Sequence, residues 1–147
     1  MKDNQSWLDV IVYTTALSQY TQHLVNILDP EREVLKTFVY QNGCYIFEIE
    51  EEDILYLIKD ISRFSNRSIK RSVLVDPKPT NFIMTPENVV PALEYNAEYA
   101  GKGEDDKETY LLDLMDELEE LKDLEDVRPL LAEKFKIRQL LKNSKLI

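Results

Sequence analysis

Two short apolar runs each end on an oxygen-bearing side chain, and that pairing limits the folds open to this sequence. Leu8-Asp9-Val10-Ile11-Val12-Tyr13 stops at Thr14-Thr15, and Ser72-Val73-Leu74-Val75 stops at Asp76-Pro77. Apolar runs this short, bounded by turn residues, read as strands buried on both faces, the pattern of a parallel sheet flanked by helices. In an open sheet of that kind, ligands bind in the crevice outside the carboxyl ends of the strands. Thr14 and Asp76 are therefore expected to look into one site.

The segments between and after these runs fill in an α/β order. Leu17, Tyr20, Leu24, Ile27 and Leu28 recur at helical spacing, Thr14 and Thr15 are placed to cap that helix, and Pro30 ends it at Asp29. Thr37-Phe38-Val39-Tyr40 and Cys44-Tyr45-Ile46-Phe47-Glu48-Ile49 flank an Asn42-Gly43 pair, which predicts a hairpin or tight turn. Residues 50–53 are polar and expected to project into solvent, and over 53–61 periodicity does not separate a short helix from a strand. The basic stretch 62–72, with Arg63, Arg67, Lys70 and Arg71, reads as a connecting helix or loop. After the turn-forming Thr85-Pro86-Glu87-Asn88, Val89-Val90-Pro91-Ala92-Leu93 reads as a last short strand. Residues 101–106 look like a linker. Two helices are expected at about 107–125 and 129–142, the first with a stripe of Leu111, Leu114, Leu118, Leu121 and Leu124, the second opened by Pro129. The 147 residues show no internal repeat and read as one domain.

Charge narrows the function classes. The net charge of −10 disfavours a nucleic-acid partner, because binding to phosphate backbones depends on a basic surface. Segment 104–126 holds twelve acids and two lysines, and 127–147 six bases and one acid, so an acidic helix and a basic one are expected to attract each other as solvated faces. No apolar run approaches the roughly 20 residues of a membrane span, and the first residues lack a signal-peptide layout. The expected compartment is intracellular. A single cysteine, Cys44, reads as a buried inert thiol, and a single histidine, His23, as a partly exposed helix position; neither supports a cysteine-cluster zinc site or a histidine-based centre.

The ordered wording carries further. Tyr13-Thr14-Thr15-Ala16-Leu17-Ser18-Gln19-Tyr20 with Leu28-Asp29-Pro30, then Ile58-Lys59-Asp60-Ile61-Ser62-Arg63, then Val73-Leu74-Val75-Asp76-Pro77-Lys78-Pro79, then Thr85-Pro86-Glu87-Asn88-Val89-Val90-Pro91, then Leu124-Glu125-Asp126-Val127-Arg128-Pro129-Leu130-Leu131 follow one another in the chain. Together they resemble the nuclear-LIM-interactor-interacting-factor-like phosphatases, the small C-terminal-domain phosphatases and their dullard-type relatives in the haloacid dehalogenase superfamily. The resemblance runs from about Trp7 to about Leu131. It implies a haloacid-dehalogenase-like Rossmannoid sheet flanked by helices and the hydrolysis of phosphoserine or phosphothreonine in a protein partner. It also implies that Thr14 hydrogen-bonds the phosphoryl group, Lys59 balances its charge and Asp76 helps to hold Mg²⁺.

Three departures qualify what is implied. The family's first motif, Asp-x-Asp-x-Thr/Val, supplies the attacking carboxylate and the general acid, and no such motif occurs in these residues; Asp3 and Asp9 have the wrong spacing. Pro77 stands where the family has an asparagine beside the metal aspartate. The acidic stretch between Cys44 and Lys59 is longer than in the family. In the superfamily the first motif lies on a central strand between those that would end at Thr14 and Asp76. The domain is therefore expected to be partial, with two open strand edges whose unpaired buried groups each cost about 1–3 kcal/mol, so that a strand from a partner chain is an expected means of completing the sheet. The main reading is the C-terminal part of a Mg²⁺-dependent phosphatase domain, inactive as this chain alone, in the nucleus or cytoplasm. The alternative is a non-catalytic pseudophosphatase that holds another protein, similar to the presequence-receptor subunit of the mitochondrial inner-membrane translocase.

Overall fold

The alternation of Val73, Leu74 and Val75 against Val89 and Val90 organises the core. The computed structural model describes residues 7–49, 54–94 and 110–147. Within them β5 (Leu74–Asp76) and β6 (Val89–Pro91) pair in parallel, Leu74 opposite Val89 and Val75 opposite Val90. Successive side chains on a strand point to opposite faces. Leu74 and Val89 accordingly join Ile61, Phe82, Ile137 and Leu141 on one side, while Val73, Val75 and Val90 meet Leu118, Leu121, Val127 and Leu131 on the other. Both faces are covered by helices: α4 (Ile137–Asn143) on the first, and α2 (Tyr110–Glu119) with α3 (Arg128–Phe135) on the second. This is the parallel, doubly covered arrangement that the apolar runs predict.

The other strands form two further pairs. β1 (Ile11–Tyr13) lies parallel to β2 (Thr37–Val39), with α1 (Ser18–Leu28) as the crossover, and β3 (Tyr45–Ile49) is antiparallel to β4 (Ile54–Ile58). Among the described residues β1 pairs only with β2 and β5 only with β6, so each has one edge without a ladder. Tyr13 packs into the cluster of Leu74 and Phe82, and Leu8 into that of Val73 and Val75, which ties β1 to the β5–β6 layer through side chains.

Several expectations are corrected. Of the hairpin or tight turn expected at Asn42-Gly43, the structure has the tight turn, a 3-10 turn over Gln41–Gly43, and no hairpin, since β2 runs beside β1. From residue 54 on, the undecided 53–61 segment is strand β4 and then a 3-10 turn over Ile61–Arg63, and the 62–72 connection ends in a second such turn, Ile69–Arg71. The helix expected over 129–142 is two helices that meet at Lys136, whose φ of 51° is left-handed. Neither threonine caps α1. Its cap position is Leu17, and Thr14 Oγ1 instead accepts from the Ala16 amide at 3.0 Å. Pro30 does end the helix at Leu28, and the Asp29 carboxylate accepts the Glu33, Val34 and Leu35 amides of the following loop. Charge attraction between the last helices is observed as Lys134 paired to Glu117 and Glu120, at 2.5 and 2.9 Å. Segments 50–53 and 101–106 lie outside the described residues.

Candidate functional site

The site begins where β4 ends. Ile58 is buried in the strand, and the next residue, Lys59, is held by its backbone amide to Asn81 O at 2.7 Å. Asp60, also buried, turns the chain: its Oδ1 accepts the Ser62 amide at 2.9 Å and the Ser62 hydroxyl at 2.6 Å, which caps the 3-10 turn. The Lys-Asp-x-Ser wording thus has a local purpose. It stops the strand and leaves the Lys59 side chain aimed across the strand ends.

There Lys59 meets Asp76. Its Nζ donates to Asp76 Oδ2 at 2.5 Å, with Lys59 8% and Asp76 2% exposed. The 3-10 turn Pro79–Phe82 wraps round the carboxylate: Asn81 Nδ2 donates to Oδ1 and Oδ2 at 3.0 and 3.1 Å, and the Lys78 amide to Oδ1 at 2.8 Å. Two buried charges are tolerated together because each neutralises the other and the remaining lone pairs have donors.

β1 borders the pair through Tyr13. Lys59 Nζ stands 5.9 Å from the Tyr13 ring centroid, within cation–π range. The Tyr13 hydroxyl donates to Gly43 O at 2.7 Å and accepts from the Asp60 amide at 3.2 Å, which ties β1, the 41–43 turn and the end of β4 together. Burial raises the Tyr13 hydroxyl pKa above its ordinary value. Cys44 is buried beside these groups, its Sγ 3.8 Å from Thr14 O; burial pushes the thiol up, and the nearby Lys59 ammonium opposes that rise.

The three residues singled out from the sequence therefore fall in two states. Lys59 and Asp76 are in contact, and Thr14 is at the adjoining strand end with its hydroxyl turned to its own loop; no hydrogen bond joins Thr14 to either partner among the described residues. Asn81, Tyr13 and Cys44 were not singled out as site residues. Asn81 had one legible signal, a carboxamide in the Pro-flanked turn that immediately follows Asp76.

As a Mg²⁺ site the arrangement does not fit. Both Asp76 oxygens already accept two donors each, an ammonium occupies the place of a cation, and Pro77 offers no side-chain oxygen where Mg²⁺ needs several hard ligands. No group of three His, Cys, Asp or Glu residues stands together among the described residues. What the arrangement can do is hold an ammonium, charge-balanced by its carboxylate, at the carboxyl ends of β4 and β5. No helix among the described residues is long and apolar enough to cross a membrane.

The family model described as NLI interacting factor-like phosphatase matches residues 1–128. CTD small phosphatase-like protein 2 of Dictyostelium discoideum is 33% identical over 136 residues, which is 92% of this chain and 21% of that protein. A probable C-terminal domain small phosphatase of the same organism is 30% identical over 85% of this chain and 36% of its own length. The mouse carboxy-terminal domain RNA polymerase II polypeptide A small phosphatase 2 is 27% identical over 73% of this chain and 34% of its own length. The chain thus spans between 21% and 36% of the length of these relatives. With a family match over 128 residues and a mixed α/β architecture of small parallel sheets under helices, the chain belongs to the NLI interacting factor-like phosphatase family, a haloacid-dehalogenase-like group.

Proposed function

We propose that this chain is the phosphate-handling part of a protein serine/threonine phosphatase domain and that these residues alone do not hydrolyse phosphate esters. The observation that carries the reading is the buried Lys59–Asp76 pair at the ends of β4 and β5, beside Tyr13 and Thr14 at the end of β1. A transferring phosphoryl group spreads negative charge over its oxygens, and catalysis rests on preorganised charge and donors aimed at them. Lys59 supplies the charge. Asp76 and Asn81 hold Lys59 in position, and Thr14 offers a hydroxyl once it turns from the Ala16 amide. With the phosphoryl group absent, Lys59 takes Asp76 as its counter-ion.

Hydrolysis also needs an attacking group, and no Asp-x-Asp sequence occurs in the 147 residues. The open edges of β1 and β5 support a second element of the proposal: a strand placed between them, from a partner chain or from further polypeptide, completes the sheet and brings that group. Relatives named for the RNA polymerase II carboxy-terminal domain support a phosphoprotein substrate met in the nucleus or cytoplasm. The single-domain reading belongs to the same proposal.

The competing reading is a non-catalytic phosphatase-like subunit that holds another protein. Pro77 and the fully donated Asp76 carboxylate favour it. Hydrolysis of an aryl phosphate with Mg²⁺ separates the two. The 147-residue chain is expected to show none above buffer. Addition of a peptide or N-terminal extension carrying Asp-x-Asp-x-Thr on an apolar strand is expected to produce hydrolysis that Lys59→Met lowers by about 100-fold or more. Hydrolysis by the unsupplemented chain contradicts the proposal, and a well-folded supplemented chain that stays inert gives the case to the non-catalytic reading.

A further inference from the structure

β1 ends on an aromatic residue with a polar tip. Tyr13 closes the apolar run Leu8–Tyr13 and stands directly before Thr14. Its ring packs against Phe64, with centroids 5.7 Å apart and planes at 59°, a contact that a phenylalanine would make as well. The hydroxyl is what a phenylalanine lacks, and both of its hydrogen bonds fall on backbone beside the strand ends: it donates to Gly43 O at 2.7 Å and accepts from the Asp60 amide at 3.2 Å. The second of these grips the peptide that links Lys59 to Asp60. The peptide on the other side of Lys59 is gripped by Asn81 O, which accepts the Lys59 amide at 2.7 Å. Lys59 is thus fixed at both of its peptide groups, from the turn after β5 on one side and from β1 on the other. Among the described residues no ladder joins β1 to β4, so the Tyr13 hydroxyl bonds directly between the segment that carries Thr14 and the segment that carries Lys59.

We propose that Tyr13 is a positioning residue for phosphate at the strand ends: its hydroxyl sets the backbone from which Lys59 extends, and its ring face steadies the ammonium. The proposal rests on the phosphate-handling reading of Lys59. A lysine carries its charge on a flexible four-carbon stem, and a binding site works only if that charge returns to one place. Asp76 provides one anchor, accepting from Lys59 Nζ at 2.5 Å. The Tyr13 ring, its centroid 5.9 Å from Nζ, provides an anchor of another kind. A ring face attracts a cation through its quadrupole and takes up no N–H in a hydrogen bond. An ammonium has three N–H donors. One goes to Asp76, and the ring restrains the ammonium while leaving the others for phosphate oxygens. A carboxylate in the place of the ring would hold the ammonium more tightly, but it would consume a donor and repel the anion. Tyr13 therefore acts through Lys59 and needs no contact of its own with phosphate.

Inorganic phosphate titrated into the isotopically labelled full chain, with the Lys59 side-chain resonances followed beside the amides, tests this. Tyr13→Phe keeps the ring and removes the hydroxyl. It is expected to weaken phosphate binding about 5-fold, the worth of one hydrogen bond, and to speed exchange of the Asp60 amide proton. Tyr13→Leu removes the ring as well. It is expected to weaken binding by about 10-fold or more and to abolish the ring-current displacement of the Lys59 ε-methylene protons. Phe64→Leu separates positioning from plain packing, because it thins the same aromatic contact without touching the hydroxyl: its urea midpoint is expected to fall while its phosphate affinity stays that of the wild type. A Tyr13→Phe chain that binds phosphate as tightly as the wild type overturns the positioning role and leaves the phosphate site standing. So does a loss of affinity in Phe64→Leu equal to that in Tyr13→Phe. A wild-type chain in which phosphate moves no resonance of Lys59 or Asp60 overturns the phosphate reading and this proposal together.

Discussion

Lys59 and Asp76 stabilise one another only as a pair, which gives the site a distinctive mutational signature. Lys59→Met leaves a carboxylate that is 2% exposed without its cation, and truncating one side of a buried pair costs about 3–5 kcal/mol. Asp76→Asn strands the ammonium in the same way. The double variant Lys59→Met/Asp76→Asn is expected to cost far less than the sum of the two, because no orphan charge remains, and urea denaturation of the four proteins measures the difference. The same neighbourhood predicts a pH response. Cys44 and Tyr13 are both raised from their ordinary values, 9.0 and 10.0, by burial, so between the unfolded and folded pKa the native chain keeps protons the unfolded chain has lost. Stability is therefore full below pH 9 and falls as pH climbs past it, and Cys44→Ala should reduce that fall in urea midpoints taken from pH 7 to 10.5. Asp126 is governed in the opposite sense. Its hydrogen bond to Arg128 holds its pKa down to about 2, so this contact persists until pH falls through that value. Asp76 was legible because it follows directly on an apolar strand, and Lys59 through the resemblance of its Lys-Asp-x-Ser segment to the family. The Lys59–Asn81 backbone bond and the Tyr13 bridge were not, since they join residues far apart in sequence through a geometry that only the folded chain defines.

The turns show where local sequence signals stop being sufficient. Asn42-Gly43 is favourable for a hairpin, yet β2 forms a parallel ladder with β1 and leaves β3 to β4; strand choice answers to burial and pairing across the molecule rather than to the intervening dipeptide. Gly43 is needed there for another reason. A Cβ on it would overlap Val39 Cγ1, so Gly43→Ala is expected to cost about 1–3 kcal/mol and Val39→Ala to recover part of that loss, as read from thermal or urea unfolding. The break at Lys136 has a legible cause in hindsight. Phe135 and Ile137 both pack into the same cluster, and residues two apart on one continuous helix face away from each other. A left-handed residue between them lets both point inward. Lys136→Gly is accordingly expected to hold or raise stability, whereas Lys136→Ile lowers it, because branching at Cβ crowds a left-handed backbone more than the unbranched lysine does.

For the molecule as a whole, the apolar runs told the layer arrangement correctly, because strands buried on both faces have little freedom in how they stack. They were silent on strand pairing and on what lies against the apolar side of α1, since periodicity marks which face is apolar and not what covers it. Among the described residues, three two-stranded pairs, two with open parallel edges, form a framework with side-chain contact between β1 and β5 and no ladder joining them. The phosphate site proposed for this framework lies at the strand ends where Lys59, Asp76 and Asn81 converge beside Tyr13 and Thr14. Titration of inorganic phosphate into isotopically labelled chain, followed by amide chemical shifts, tests that assignment most directly. Thr14, Lys59, Asp60 and the 78–81 turn are expected to shift together with one affinity, and the charge-balanced Lys59→Met/Asp76→Asn variant, still folded, to lose the response. Shifts confined to other regions, or a response that persists unchanged in the folded double variant, would contradict it.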